Sequence, residues 1–277
     1  MLSRRMQPTA PSSSRAEPVA HAASHPARLA LVIPTLQEAG NIRHLLIRTC
    51  AALDRYDDAY EVIVVDDESR DGIEEIVAAM GMDDARIRIV VRRGERGLAG
   101  AVIRGWEETE APFLAVMDAD LQHPPELLPQ LWAALDAGAD VVVGSRYAEG
   151  GALVGWTPSR ALISKLAVWM TLPVQRSKIR AHDPMSGFFM LRRPCIEGLA
   201  FRKTGFKILL EVLARGRVGS VVEVPFAFGQ RHQGCSKANL RVALDYLLLL
   251  VRLYRQKGPA PAALHANAPV PASEAVR

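Results

Sequence analysis

Residues 113–125 read FLAVMDADLQHPP, and the fold follows from how that run begins and ends. Phe113 to Met117 is an apolar run of strand length, and it stops on two carboxylates separated by one small residue, Asp118 and Asp120. Carboxylates are too costly to be core, so the run predicts a buried strand whose end opens onto solvent or ligand. In an α/β sheet that position faces the crevice where ligands bind. Two carboxylates plus the amide oxygen of Gln122 suit a hard divalent cation, Mg²⁺ or Mn²⁺, whose shell is completed by the oxygens of a diphosphate. His123 is expected to support the loop rather than to ligate. Alone, Asp-x-Asp is a common solvated turn. Here Pro124, Pro125 and a helix expected over Glu126 to Asp136 clamp it between rigid elements, which favours a site.

Upstream, the same strand-then-loop pattern recurs. Leu29 to Ile33 predicts a first strand, stopped by Pro34 and Thr35, with Asn41 capping a helix to Leu53. Val62 to Val65 runs into Asp66 and Asp67, and Asp71-Gly72 starts the next helix. Ile87 to Val91 leads through GERGLAG to a helix ending near Thr109. Downstream, Val141 to Val143 ends on Ser145 and Arg146, and Ser220 to Pro225 is a further strand. A helix after almost every strand predicts a single α/β domain: a doubly wound, mostly parallel sheet with helices on both faces. Glu38, Asp67, Asp118, Asp120, Ser145 and Arg146 then collect at the carboxyl ends of strands, where Asp67 suits a nucleobase or ribose donor and Glu38 supports the same loop. Such acids can equally be turn formers, and Asp71 reads as an N-cap.

Composition allows an ordinary core: 277 residues, 49% hydrophobic and 23% charged. Residues 1–27 and 258–277, rich in Ala, Pro and Ser, are expected to be disordered around a domain at 28–257. The three cysteines, Cys50, Cys195 and Cys235, lack metal or redox spacing and read as free thiols of a reducing, cytoplasmic compartment. The N-terminus is basic but has no apolar h-region, and no run approaches the ~18 apolar residues of a membrane span. Membrane contact is therefore expected to be peripheral, and no nucleic-acid partner is expected. The net charge of +4 is unevenly placed: no acid occurs from Gly150 to His182, where Arg160, Lys165, Arg176, Lys178 and Arg180 interleave with large apolar residues. A helix near Ser159 to Leu172, with Trp156 and Trp169 beside it, suits a membrane surface, or else packs as a core helix with snorkelling cations. For the helix from Val242 to Tyr254, the stripe Leu244, Leu247, Leu248 and Val251 is expected to pack against the core.

The strings VIPTLQEAGNI, VVDDESRDG, GLAGAVIRGW, MDADLQHPPE, VVGSRY, DPMSGFFMLRR and RHQGCSKANL occur in the order seen in family-two glycosyltransferases of the GT-A fold. Over roughly residues 28–255 the chain resembles the polyprenol-phosphate (dolichol-phosphate) mannosyltransferases among them. The resemblance implies GDP-mannose as donor, a polyprenyl or dolichyl monophosphate as acceptor, and a β-linked lipid phosphate sugar made in one inverting step on the cytoplasmic face of a membrane. It places Pro34, Thr35, Glu38 and Asp67 in the nucleotide pocket and Asp118, Asp120 and Gln122 on the metal. It puts Arg231 and Lys237 over the donor phosphates, and Ser145, Arg146 and Arg160 on the acceptor phosphate. Asp183 stands where other inverting members carry a base; a structural or sugar-positioning role is expected here.

Several positions depart from the family pattern. Leu36 replaces an aromatic, Gln37 an Asn, Glu68 a Gly and Cys235 an acid, so contacts with the base are expected to differ. Transmembrane helices that some members carry beyond the catalytic domain have no counterpart, so attachment is expected through a membrane partner protein or the amphipathic segment alone. A UDP-glucose-dependent polyprenyl-phosphate glucosyltransferase is the nearest alternative. A nucleotidyltransferase would need a basic, Gly-rich loop after the first strand, where PTLQEAGN is acidic. A non-catalytic nucleotide-sugar or lipid-phosphate binding module would have no use for metal ligands and phosphate cations together.

Overall fold

The computed structural model describes residues 26–153, 157–176, 179–202, 207–228 and 240–256; at residues 153, 160, 228 and 240–243 it describes the backbone alone. The terminal segments expected to be disordered, and Trp156, Lys178, Arg231, Cys235 and Lys237, lie outside the described residues or, for the segments, almost wholly so.

In chain order the elements are β1 (Leu29–Thr35), α1 (Ala39–Leu53), β2 (Tyr60–Asp66), α2 (Ile73–Asp83), β3 (Ile87–Val91), α3 (Leu98–Glu107) and β4 (Phe113–Val116). A 3-10 turn at Pro125–Leu127 leads into α4 (Leu128–Asp136), followed by β5 (Val141–Ser145), β6 (Ala152–Leu153) and α5 (Pro158–Met170). Then come β7 (Phe189–Arg192), a 3-10 turn at Arg193–Cys195, α6 (Ile208–Arg215), β8 (Val221–Pro225), β9 (Ala227–Phe228) and α7 (Leu240–Arg255).

Seven strands form the main sheet in the order β3-β2-β1-β4-β7-β5-β8, and β6 pairs with β9 beside it. The strands run as continuous apolar stretches because both faces are covered, with alternate residues serving opposite layers. Leu29, Leu31 and Ile33 pack with α1, α2 and α4. Ala30 and Val32 pack with α3 and α6. The expected doubly wound sheet is present with one addition: β7 is antiparallel to both β4 and β5 and separates them.

Local details also differ from the sequence expectations. Pro34 lies within β1 rather than stopping it; β4 pairs only with Leu29–Val32, so at Pro34 the strand has one neighbour, a place where proline is tolerated. The cap of α1 is Glu38, not Asn41, which sits inside the helix and donates from Nδ2 to Glu38 Oε2 at 2.7 Å. The first free N–H of α1, at Ala39, is instead accepted by Asp71 Oδ2 at 3.0 Å, while Asp71 Oδ1 accepts from Ile73 N–H at the start of α2. One carboxylate thus serves two helix N-termini.

The largest correction concerns α7. The stripe expected in the core, Leu244, Leu247, Leu248 and Val251, is at least 44% exposed at every position. The core-facing residues are Tyr246, Leu250 and Leu253, which pack with Val174, Met185 and Leu210. The run Leu247 to Leu250 spans a full helical turn and makes both faces apolar, so periodicity alone could not choose between them. On α5, Leu162, Ile163, Leu166 and Trp169 are likewise at least 52% exposed, which rules out the core-helix alternative for that face. Tyr246 Oη donates to Ala167 O and joins α7 to α5.

Candidate active site

The parallel strands deliver their loops to one end of the sheet, and β1, β2 and β3 build one half of the site. Thr35, buried at the end of β1, donates from its hydroxyl to Asp66 Oδ1 at 2.9 Å. Gln37 N–H donates to Ser69 Oγ at 2.7 Å, tying the loop after β1 to the loop after β2. Asp67 is buried and occupied on both oxygens: Arg92 Nη1 lies 2.6 Å from Oδ1, and Gly97 N–H donates to Oδ2 at 2.7 Å. Burial pushes the Asp67 carboxyl above its usual range, against the pull of Gly97 N–H and Arg92. Sequence reading placed Asp67 on the nucleotide; the structure adds a bracing role, since its carboxylate holds the loop that opens α3.

Backbone strain concentrates in these loops. Gln37, Glu68, Arg70 and Leu121 all have φ between 54° and 64° without being glycine. At Glu68, where the family pattern carries Gly, the left-handed backbone explains why Gly suits that position. Here the carboxylate of Glu68 accepts Gly94 N–H at 3.1 Å and so links the loop after β2 to the loop after β3.

β4, β5 and β7 supply the other half. Asp120, Gln122 and His123 are buried, and Asp120 Oδ1 accepts Gln122 N–H at 3.1 Å. Asp118 keeps a third of its side chain exposed. Gly187 makes room for it: a Cβ there would lie 2.6 Å from Asp118 Cγ and closer still to Oδ2. His123 Nδ1 is 3.9 Å from Asp118 Oδ2, and its ring packs on Phe188 and Phe226. Burial lowers its pKa to about 4, so at neutral pH it is an uncharged wall, as expected for a supporting residue.

Across from the acidic loop, Arg146 follows β5 and is clamped by Asp183. Nε donates to Oδ2 at 2.7 Å, Nη2 to Oδ1 at 2.8 Å, and the Arg146 backbone N–H to Oδ2 at 3.1 Å. Asp183 is fully buried. Burial works against the charged guanidinium, but the hydrogen bonds and charge of Asp183 outweigh it and raise the Arg146 pKa above its ordinary value. Glu223 on β8 holds the clamp from behind, accepting the N–H groups of His182 at 2.8 Å and Asp183 at 3.0 Å. Two of the five guanidinium N–H donors are thereby fixed on Asp183, which sets the direction of the fork.

Ser145 is buried, and its hydroxyl accepts from Tyr147 and Ala148 N–H at 3.3 and 3.0 Å, shaping the turn that aims Arg146. Pro34 is buried at the end of β1, and Glu38 is half-buried beside it. Arg160 lies in the first turn of α5; its side chain, like Arg231 and Lys237, lies outside the described residues. Arg176, expected among the surface cations, is a strut that donates to Gly216 O and Ala214 O at 3.0 and 3.2 Å.

Sequence reading missed Lys207. Its Nζ lies 3.4 Å from Met185 O, burial lowers its pKa, and it feels the Arg146 cation together with the carboxylates of Asp118 and Asp183. A lone lysine before the apolar run of α6 gave no local signal of this position. Asp118, Asp120, Arg146, Asp183 and Lys207, drawn from four separate loops, thus come within electrostatic reach of one another, with Asp183 buried behind Arg146.

Among the described residues, no three His, Cys, Asp or Glu side chains gather into a ready-made metal site. The carboxylates of Asp118 and Asp120 and the amide oxygen of Gln122 are the donor types a hard divalent cation takes when a substrate completes its shell, and Gly187 leaves the place that the Asp118 carboxylate occupies.

The pattern of glycosyl transferase family 2 matches residues 30–199. A dolichol-phosphate mannosyltransferase of Pyrococcus furiosus is 41% identical over 232 residues, covering 83% of this chain and 65% of that protein. The chain therefore spans just under two thirds of that relative. A dolichol-phosphate mannosyltransferase of Saccharomyces cerevisiae is 40% identical, with 81% and 86% of the two chains covered. A polyprenol monophosphomannose synthase of Mycolicibacterium smegmatis is 33% identical, with 78% and 84% covered. Among solved structures, glucosyl-3-phosphoglycerate synthase from Mycobacterium tuberculosis, in complex with Mn²⁺, UDP-glucose and phosphoglyceric acid, superposes with a TM-score of 0.58 at 18% identity, covering 83% of this chain and 79% of that one. The shared fold is the expected GT-A architecture.

Proposed function

The chain belongs to glycosyl transferase family 2, and from that premise we propose that it moves mannose from GDP-mannose to a polyprenyl (dolichyl) monophosphate. The observation that carries the reading is the acidic loop, Asp118 to Gln122, standing within electrostatic reach of the clamped Arg146. Relatives named for mannose transfer to dolichol phosphate or for polyprenol monophosphomannose synthesis support the choice of sugar and acceptor.

In this reading Pro34, Thr35, Glu38 and Asp67 line the nucleoside pocket, which the hydrogen bonds between the loops after β1, β2 and β3 hold preformed. Asp118, Asp120 and Gln122 would hold Mg²⁺ or Mn²⁺, and Arg231 and Lys237 are assigned to the donor phosphates. A bound divalent ion would neutralise charge on the departing diphosphate. Arg146, with Arg160, positions the acceptor phosphate, and Ser145 sets the turn behind it. A phosphate oxygen forms the new bond to the anomeric carbon as the bond to the donor diphosphate breaks, which inverts the configuration to β. A phosphate monoester with a second pKa near ~6 is already dianionic at neutral pH, so the site needs no strong base. Asp183, buried and committed to Arg146, is a positioning group.

Among the described residues no helix is long and apolar enough to cross a membrane. The exposed apolar faces of α5 and α7 support peripheral attachment to a membrane, which this reading places on the cytoplasmic face, alone or beside a membrane partner protein.

The test compares Arg146→Ala with Asp118→Ala. Arg146→Ala should raise the acceptor KM while leaving donor affinity within a few-fold, and Asp118→Ala should abolish transfer and the metal dependence of donor binding. Equal losses of donor and acceptor binding in Arg146→Ala contradict the assignment.

A further inference from the structure

The short run Asp183 to Gly187 carries a part of each half of the site. Asp183 clamps Arg146, and Gly187 leaves the place of the Asp118 carboxylate. Between them, Ser186 Oγ donates to Gly144 O at 2.8 Å, and Met185 O accepts from Lys207 Nζ at 3.4 Å. The polar groups of this loop therefore tie it to β5 and to the approach of α6. The Met185 side chain ties it elsewhere. It is buried in an apolar cluster with Val174, with Leu210 of α6, and with Tyr246, Leu250 and Leu253 of α7. The two larger clusters are built on the strands, but this one holds no residue of the sheet. Sheet packing does not need it. Besides these apolar contacts, α7 is fastened by Tyr246 Oη, which donates to Ala167 O at 2.5 Å, and by Arg252 Nη2, 2.9 Å from the buried Glu211 of α6.

We propose that Met185 is a positioning residue and that α7 is its seat: the docking of Tyr246, Leu250 and Leu253 sets the loop Asp183 to Gly187, and through it both the Arg146 clamp and the place of Asp118. The inference rests on the roles assigned above to Arg146 and Asp118, and it extends the site to a helix beyond residues 30–199, the part that the family pattern matches. Met185 stands two residues from Asp183 and two from Gly187, and close-packed interiors transmit a displacement rather than absorb it. Lys207 shares the seat. Its ammonium meets the carbonyl of Met185, and Leu210, three residues further on, lies in the same cluster.

The experiment uses the full chain with Mn²⁺, GDP-mannose and the soluble acceptor geranyl phosphate, and it reads hydrogen exchange, donor binding by calorimetry, and acceptor kinetics well below each Tm. Leu250→Ala and Met185→Ala should each speed exchange over residues 183–188, where Asp183 O holds Ser186 N–H and Ser186 Oγ holds Phe188 N–H, and leave β1 to β3 protected. Both variants should weaken metal-dependent donor binding and raise the acceptor KM together, each by at least about tenfold, since misplacement by about 1 Å costs on the order of 10²-fold. Arg146→Ala moves the acceptor alone. Leu53→Ala, a core truncation at the end of α1 away from the cleft, should lower Tm comparably and move neither constant. Met185→Leu, which nearly conserves volume, should keep both constants close to wild type. If Leu250→Ala does not fold, Arg252→Gln, which only loosens the pairing with Glu211, should give the same joint shift at smaller amplitude. Constants that merely follow Tm, so that Leu53→Ala matches Leu250→Ala and Met185→Ala, overturn the proposal, as does unchanged exchange at residues 183–188. Faster exchange there in variants of a protein that binds no GDP-mannose would sustain the seat while refuting the donor assigned above.

Discussion

Replacing Asp183 by Asn is the sharpest perturbation of the clamp. The carboxylate is fully buried, the Arg146 side chain is 13% exposed, and three hydrogen bonds of 2.7, 2.8 and 3.1 Å join them. Asn keeps one acceptor oxygen but presents an NH₂ to a guanidinium that has only donors, and it removes the charge that keeps Arg146 comfortable in a buried place. Breaking a buried pair by removing one partner costs about 3–5 kcal/mol. The surviving carbonyl places this change near the lower end, about 3 kcal/mol. For a domain of this size that is a fall in Tm of roughly 6–12 °C. Arg146 would also lose its aim, and misplacement of a positioning group by about 1 Å costs on the order of 10²-fold in rate. Thermal unfolding, followed by kinetics with varied acceptor at saturating donor, separates the two effects. The acceptor KM should rise more than kcat falls, with donor affinity retained below the new Tm. A double-mutant cycle with Arg146→Gln should give a coupling of at least about 1.5 kcal/mol. An Asp183→Asn protein with unchanged Tm and unchanged acceptor KM would refute the idea that the clamp positions Arg146.

Four further outcomes follow from particular contacts. Gly187→Ala should displace Asp118, because the new Cβ would fall on its carboxylate, and weaken metal-dependent donor binding without a comparable loss of Tm; unaltered metal dependence would contradict the cradle. Arg92→Met should strand the buried Asp67 carboxylate and lower stability by about 3–5 kcal/mol in denaturant titration, whereas a loss under about 1 kcal/mol would show the pair to be dispensable. The Cys195 thiol, pushed up to about 12 by burial, should resist alkylation in native protein at pH 8 and react only on unfolding, with peptide mapping as the check; rapid native labelling would contradict its burial. Leu166→Glu on the exposed face of α5 should reduce co-sedimentation with anionic lipid vesicles while preserving activity on a short soluble acceptor, and undiminished vesicle binding would remove α5 from the membrane contact.

Much of this architecture was legible because the strands are buried on both faces and therefore read as short apolar runs with polar ends. Ile87–Val91 matches its sequence expectation at both ends, and the acid-ended run beginning at Phe113 is the central strand β4. What escaped was long-range. β7 is one more apolar run, and only pairing with β4 and β5 reveals that it is antiparallel and sits between them. The Arg146–Asp183 clamp joins residues 37 positions apart, and Lys207 reaches the cleft from the approach to α6; neither leaves a periodic trace. α7 failed for the opposite reason. Its pattern was strong, but an apolar stripe looks the same whether protein or lipid is to cover it, and the four-leucine run offered two such stripes.

The central claim is tested most directly by incubating the purified chain with a long-chain polyprenyl phosphate, Mg²⁺ or Mn²⁺, and labelled GDP-mannose or UDP-glucose in parallel. The account predicts β-linked labelled lipid from GDP-mannose, lost on adding chelator. Lipid labelled from UDP-glucose alone would keep the fold and cleft and overturn the donor, while donor binding with no labelled lipid from either sugar would contradict a lipid phosphate as the acceptor.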